Sequence, residues 1–79
     1  MEKIEITTRF TIEGKLIPLD FTLDEEKVAI LNIGRQWETE DGRHILVMDY
    51  QENSYHLFFD VVDLSWYLIR DMMGPKGKV

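Results

Sequence analysis

Ile4-Glu5-Ile6-Thr7-Thr8-Arg9-Phe10-Thr11-Ile12 places Ile4, Ile6, Thr8, Phe10 and Ile12 on one parity and polar residues on the other. Period 2 is the mark of a strand with one buried face. Glu13-Gly14 follows, and the next run sets Ile17, Leu19, Phe21 and Leu23 against Pro18, Asp20 and Thr22. Glycine tolerates the positive φ of a tight turn, so the two runs are expected to pair as a hairpin. With Glu13 and Gly14 as the loop, Phe10 faces Ile17, Thr8 faces Leu19 and Ile6 faces Phe21, so both apolar stripes share one side. Pro18 has no ladder donor and is expected at a bulge or with its nitrogen facing outward.

Working outward, Asp24-Glu25-Glu26 reads as a charged turn, and Val28–Ile33 as a strand covered on both faces. Gly34 breaks that run, with Arg35-Gln36-Trp37 extending it through a bend before the acidic loop Glu38–Gly42. His44, Leu46, Met48 and Tyr50 then alternate with Ile45, Val47 and Asp49, and after Gln51–Ser54 the residues Tyr55, Leu57, Phe59 and Val61 share a face. Pairing Tyr50 with Tyr55, Met48 with Leu57 and Leu46 with Phe59 aligns two apolar stripes. Ser65–Arg70 reads as a final strand, with Trp66 and Leu68 facing Val61 and Phe59. The alternative is a helix over Leu64–Met73, capped by Asp63 and stopped by Gly74-Pro75. The expected fold is therefore all-β, a small antiparallel barrel, roll or sandwich of about six strands over residues 1–74. The alternative is α+β with that C-terminal helix. Residues 75–79 read as a frayed basic tail.

At 79 residues the chain holds one domain, about half of the roughly 150 allotted to each. It has no cysteine, which excludes a disulfide framework and a thiolate zinc site. A core this small supplies only about 3–5 kcal/mol, which makes a homodimer a reasonable expectation. Fifteen acids against nine bases give a net charge of −6, which disfavours nucleic acid and anionic lipid. No segment reaches a membrane span, and the N-terminus lacks a signal-peptide layout, so a cytoplasmic address is expected.

Candidate chemistry is sparse. The expected register sets His56 opposite Asp49, with Asp60 on the same face, a pair that could orient an imidazole or simply stabilise an exposed sheet. His44 takes the opposite parity, which argues against a two-histidine metal site. No catalytic residue, metal or cofactor is assigned, since no nucleophile elbow, phosphate loop or His-Glu-x-x-His is present. Arg35, Trp37 and Arg43 flank one loop, and His56, Phe58 and Tyr67 could share a face. These six are the candidate binding residues, with Trp37 also readable as a core plug. Ile45, Val47, Phe58, Tyr67 and Ile69 are expected on the reverse of the last three strands, as core or as an interface.

The order Phe10, Gly14, Pro18, Phe21, Ile33, Trp37, Asp41-Gly42-Arg43, Tyr55-x-Leu57, Asp60 and Trp66-x-Leu68 resembles small uncharacterised bacterial β-domain proteins over residues 4–70. The resemblance implies a prokaryotic source, a stand-alone domain and an antiparallel sheet ending in a Trp-bearing strand. It transfers no functional residue. The expected role is a non-catalytic protein-interaction module whose partner is itself or another protein. A nucleic-acid-binding barrel using Arg9, Arg35, Arg43, Trp37 and Tyr67, and a small enzyme or ligand pocket around His56, are the alternatives.

Overall fold

The computed structural model describes residues 1–69, which form seven strands: β1 (Glu2–Ile4), β2 (Ile6–Phe10), β3 (Leu16–Leu23), β4 (Glu26–Thr39), β5 (Gly42–Asp49), β6 (Ser54–Asp60) and β7 (Ser65–Ile69). Expectations for Arg70, for the part of the helical alternative beyond Ile69 and for residues 75–79 lie outside the described residues. Every pairing is antiparallel, in the order β1-β7-β6-β5-β4-β3-β2. The expected first strand is divided at Glu5, so the two outermost strands are consecutive pieces of chain. One bent segment therefore carries both edges, and the sheet curls into a half-barrel, the small all-β roll expected from the alternation. The Thr22 amide donates to the Glu5 carbonyl at 2.9 Å and ties the bend to β3.

Inside the curl lie Phe21, Ile45, Val47, Leu57, Trp66 and Leu68, flanked by Ile4, Ile6, Leu16, Ile30, Ile33 and Phe59. The first hairpin keeps the expected Ile6–Phe21 pair, then slips by one between Thr7 and Thr8, which faces Pro18 rather than Leu19. Leu19 is the extra residue of that bulge, and it reverses the parity beyond it. Leu16 and Pro18 thus turn inward, Pro18 being fully buried, whereas Leu19 is left 41% exposed. The expected Ile17–Leu19 stripe is corrected accordingly. The loop spans Thr11–Lys15 rather than two residues, with Gly14 at φ 85°.

Asp24 and Glu25, at φ 52° and 68°, form a two-residue turn of the twisted kind that suits hairpins. β4 then runs unbroken for 14 residues with two irregularities against β5, the second falling between Ile33 and Gln36 where a break at Gly34 was expected. It is covered on one face only: Ala29 and Leu31 are exposed, which corrects the two-sided reading.

The β5–β6 register differs most from expectation. Ile45 faces Leu57 and Val47 faces Tyr55, so Ile45 and Val47 are core and Leu46 and Met48 lie on the outer face. The cause is Asp49. Its Oδ1 accepts from the Gln51 and Asn53 amides at 2.9 Å each, and its Oδ2 accepts from Asn53 Nδ2 at 3.1 Å and the Tyr55 hydroxyl at 3.0 Å. This network closes a four-residue loop over residues 50–53, leaving Tyr50 66% exposed instead of paired. Burial opposes ionisation of Asp49, but the four donors outweigh it and hold the carboxyl below its ordinary value.

β7 is a strand from Ser65 to Ile69, which rules out the helix over those residues. It pairs Trp66 with Phe59 and Leu68 with Leu57, two places from the expected register, because the turn occupies Val61–Leu64.

The Thr8 hydroxyl is buried with no hydrogen-bond partner. Thr8→Val removes that unsatisfied group at nearly constant shape and is expected to raise stability by about 1 kcal/mol. A thermal melt showing a lower midpoint would contradict this.

Candidate functional site

The β5–β6 register places even-numbered residues of both strands on the outer face, and antiparallel pairing carries that face across four strands. Trp37 on β4 lies opposite His44 on β5, His44 opposite Phe58 on β6, and Phe58 opposite Tyr67 on β7. The rings form a continuous row. Trp37 and His44 stack at 5.0 Å and 4°, His44 and Phe58 approach to 4.6 Å, and Phe58 and Tyr67 to 6.4 Å. The Arg35 guanidinium sits 5.1 Å from the Trp37 ring centre. Tyr67 donates its hydroxyl to Asp63 Oδ2 at 2.8 Å; that bond first, then burial and the Asp63 and Asp60 charges, raise the phenol above its ordinary value.

Five of the six expected binding residues, Arg35, Trp37, His56, Phe58 and Tyr67, are thus brought together, and Trp37 is not a core plug. Arg43 is not among them. It faces Phe59 on the inner side and forms an ion pair with Glu38 at 2.7 Å. The His56–Asp49 pairing does not exist, because Asp49 points inward to its own loop and His56 outward. The two histidines, expected on different sides, are in direct contact: His44 Nδ1 lies 2.8 Å from His56 Nε2. Every pair of the observed β5–β6 register has an even residue-number sum, as His44 and His56 do, whereas the expected β5–β6 register used odd sums. Asp60 accepts from the Val62 and Asp63 amides at 2.8 and 3.3 Å and shapes the β6–β7 turn.

A second surface went unread in the sequence. Antiparallel alternation puts the β2–β3, β4–β5 and β6–β7 turns at one end, and the Val61 amide donates to the Asp41 carbonyl at 3.1 Å to join two of them. A cleft of about 380 Å³ opens there, lined by apolar Phe10, Leu16, Phe59 and Val61 with the Arg43–Glu38 pair at its side. Phe10 is 70% exposed, and the turns at this end also carry Ile12 at 99%, Val62 at 83% and Leu64 at 72%. The hollow at the other end, about 370 Å³, is walled mainly by polar groups such as Asp24, Glu26, Lys27, Gln51 and Asn53. The overlooked signal was aliphatic residues inside turns, Ile12 beside Glu13-Gly14 and Val61-Val62-x-Leu64. Turns ordinarily carry polar residues, so these side chains are exposed by placement.

Among the described residues no helix is long and apolar enough to cross a membrane, and no cluster of three or more His, Asp or Glu side chains has metal-holding geometry. No protein-family model, no curated protein and no solved structure matches this chain.

Proposed function

We propose that this protein is a non-catalytic interaction module of a prokaryotic cytoplasm that docks another protein against the apolar end of its half-barrel. The observation that carries the reading is an end of the half-barrel where Phe10, Ile12, Val62 and Leu64 are all strongly exposed, beside a cleft lined by Phe10, Leu16, Phe59 and Val61. An apolar patch rimmed by polar groups is the usual form of a protein interface. The three turns also carry Glu13, Glu40, Asp41 and Asp63 against a single cation, Lys15. The complementary partner is a segment with an aliphatic or aromatic anchor flanked by lysine or arginine. A second copy of this chain, at −6, meets that rim with like charge.

The nucleic-acid reading loses support on the outer face. Trp37 already has His44, His56 and Arg35 as ring neighbours, and Arg43 is engaged by Glu38, so few stacking faces or cations are left for a strand of bases.

Selection from a random peptide library displayed on phage tests the proposal. The expected outcome is a consensus of apolar anchor plus basic flanks, with binding lost in an Ile12→Glu, Val62→Glu double variant that keeps the wild-type melting point. An acidic or purely polar consensus, or equal capture by the variant, would overturn it.

A further inference from the structure

The margin of the sheet that runs up to the apolar end is open. Ile4 is the last residue of the amino-terminal segment paired with β7, and β2 is the outermost strand of the opposite margin. From Ile6 to Phe10, therefore, only β3 lies alongside among the described residues. We infer that the partner docked at this end is held as an extended segment added to the free edge of β2, with alternate side chains entering the cleft. That mode of capture rests on the docking reading above and specifies how the partner's backbone is gripped.

The backbone groups of β2 face the right way. The Thr11 amide donates to the Lys15 carbonyl across the first hairpin at 2.9 Å, and bonded positions alternate along an antiparallel pair. The register is regular from Thr8 to Phe10, so Arg9 bonds to β3, while Thr8 and Phe10 turn their N–H and C=O groups to the open side. Pro18, opposite Thr8, has no N–H to give, as suits a position that does not bond across the hairpin. An extended segment laid along this edge meets two donors and two acceptors in line.

The side chains agree. Ile6, Thr8 and Phe10 share the inward parity; Ile6 packs on the core and the Thr8 hydroxyl is buried, yet Phe10 is strongly exposed. Phe10 and its cross-strand partner Leu16 both line the cleft. Every second side chain of an added strand is delivered to the same place, because alternate residues of neighbouring strands share a face.

This edge is also poorly guarded. Exposed edges are ordinarily protected by charges or proline. The β1 edge, Glu2-Lys3-Ile4, is charged at two of its three residues, whereas β2, Ile6-Thr7-Thr8-Arg9-Phe10, carries only Arg9 among β-favouring residues. The acids of the adjoining turns favour a segment flanked by lysine or arginine over a second copy at −6.

The test is amide hydrogen exchange followed by NMR, on the free protein and with a synthetic peptide of the phage-selected sequence. In the free protein the Thr8 and Phe10 amides should exchange rapidly and that of Arg9 slowly; saturating peptide should slow the first two by about tenfold or more. Methylating the peptide's amide nitrogens one at a time should weaken binding by about tenfold at every second position and little in between, since only alternate amides face β2. Rapid exchange persisting at Thr8 and Phe10 in the complex, or a methylated series without alternation, would overturn strand addition and leave docking at the apolar end standing. Slow exchange of both amides in the free protein, whether from a closed edge or from a second copy, would overturn it as well. A library that yields no binder sinks the docking reading itself, and strand addition with it.

Discussion

Gly42→Ala is expected to leave the protein largely unfolded at room temperature. Gly42 opens β5 opposite Asp60, and a Cβ built on it would overlap the Phe59 carbonyl oxygen and touch the Phe58 ring. Backbone cannot yield there without breaking the β5–β6 ladder, which orders both the core and the outer row of rings. Overpacking of this kind costs about 3 kcal/mol or more, most of what a core of this size supplies. Gly34→Ala is the internal control. Its added carbon would meet only the Leu46 carbonyl, at an ordinary 3.5 Å, so its urea midpoint should stay close to wild type. Equal midpoints for the two variants would show that the close approach at Gly42 is not what fixes the ladder.

Asp49→Ala is expected to cost about 2–4 kcal/mol, since it strands two amides, a carboxamide and the Tyr55 hydroxyl that now share one 7% exposed carboxylate. Acidity gives a second signature. The folded-state value lies below the ordinary 3.8, so this contribution is complete above 3.8 and is lost as pH falls through the folded value. Urea midpoints in successively more acidic buffer should therefore fall for wild type, and less steeply for Asp49→Asn. Parallel curves would remove Asp49 from the acid response. Loss of the turn also frees the register to adopt the Leu46–Phe59 alignment. Side-chain NMR contacts between those two residues in the variant would reveal it.

That competition explains how far the sequence could be read. Alternation pointed to strands within residues 4–12, 17–23, 43–50 and 55–61, where β2, β3, β5 and β6 lie, and to the Ile6–Phe21 pair, because a two-residue period is a local property; β-rich composition added the strand from Ser65. Which parity of β5 faces inward was not local. Leu46 and Met48 are as apolar as Ile45 and Val47, so hydrophobicity is silent, and the choice rests on an aspartate gathering four donors from its own loop. A single error of parity there concealed the contact of His44 with His56 and assigned the wrong residues to the reverse face. His56, Phe58 and Tyr67 were still expected on one face, since only relative positions within that face were needed, whereas Arg35 and Trp37 were expected beside a loop with Arg43 and their place in the same row was not read. The apolar end escaped notice because its side chains come from turns, where periodicity carries no information.

The bend at Glu5 bears on how the molecule comes into being. Glu2 pairs with Leu68, nearly the whole described length away along the chain. During synthesis the amino-terminal residues must wait for the last hairpin to clear the ribosome before they can dock. Until then the nascent chain is an unclosed ribbon with raw margins, and closure, a high-separation contact, should be the slow step of its maturation.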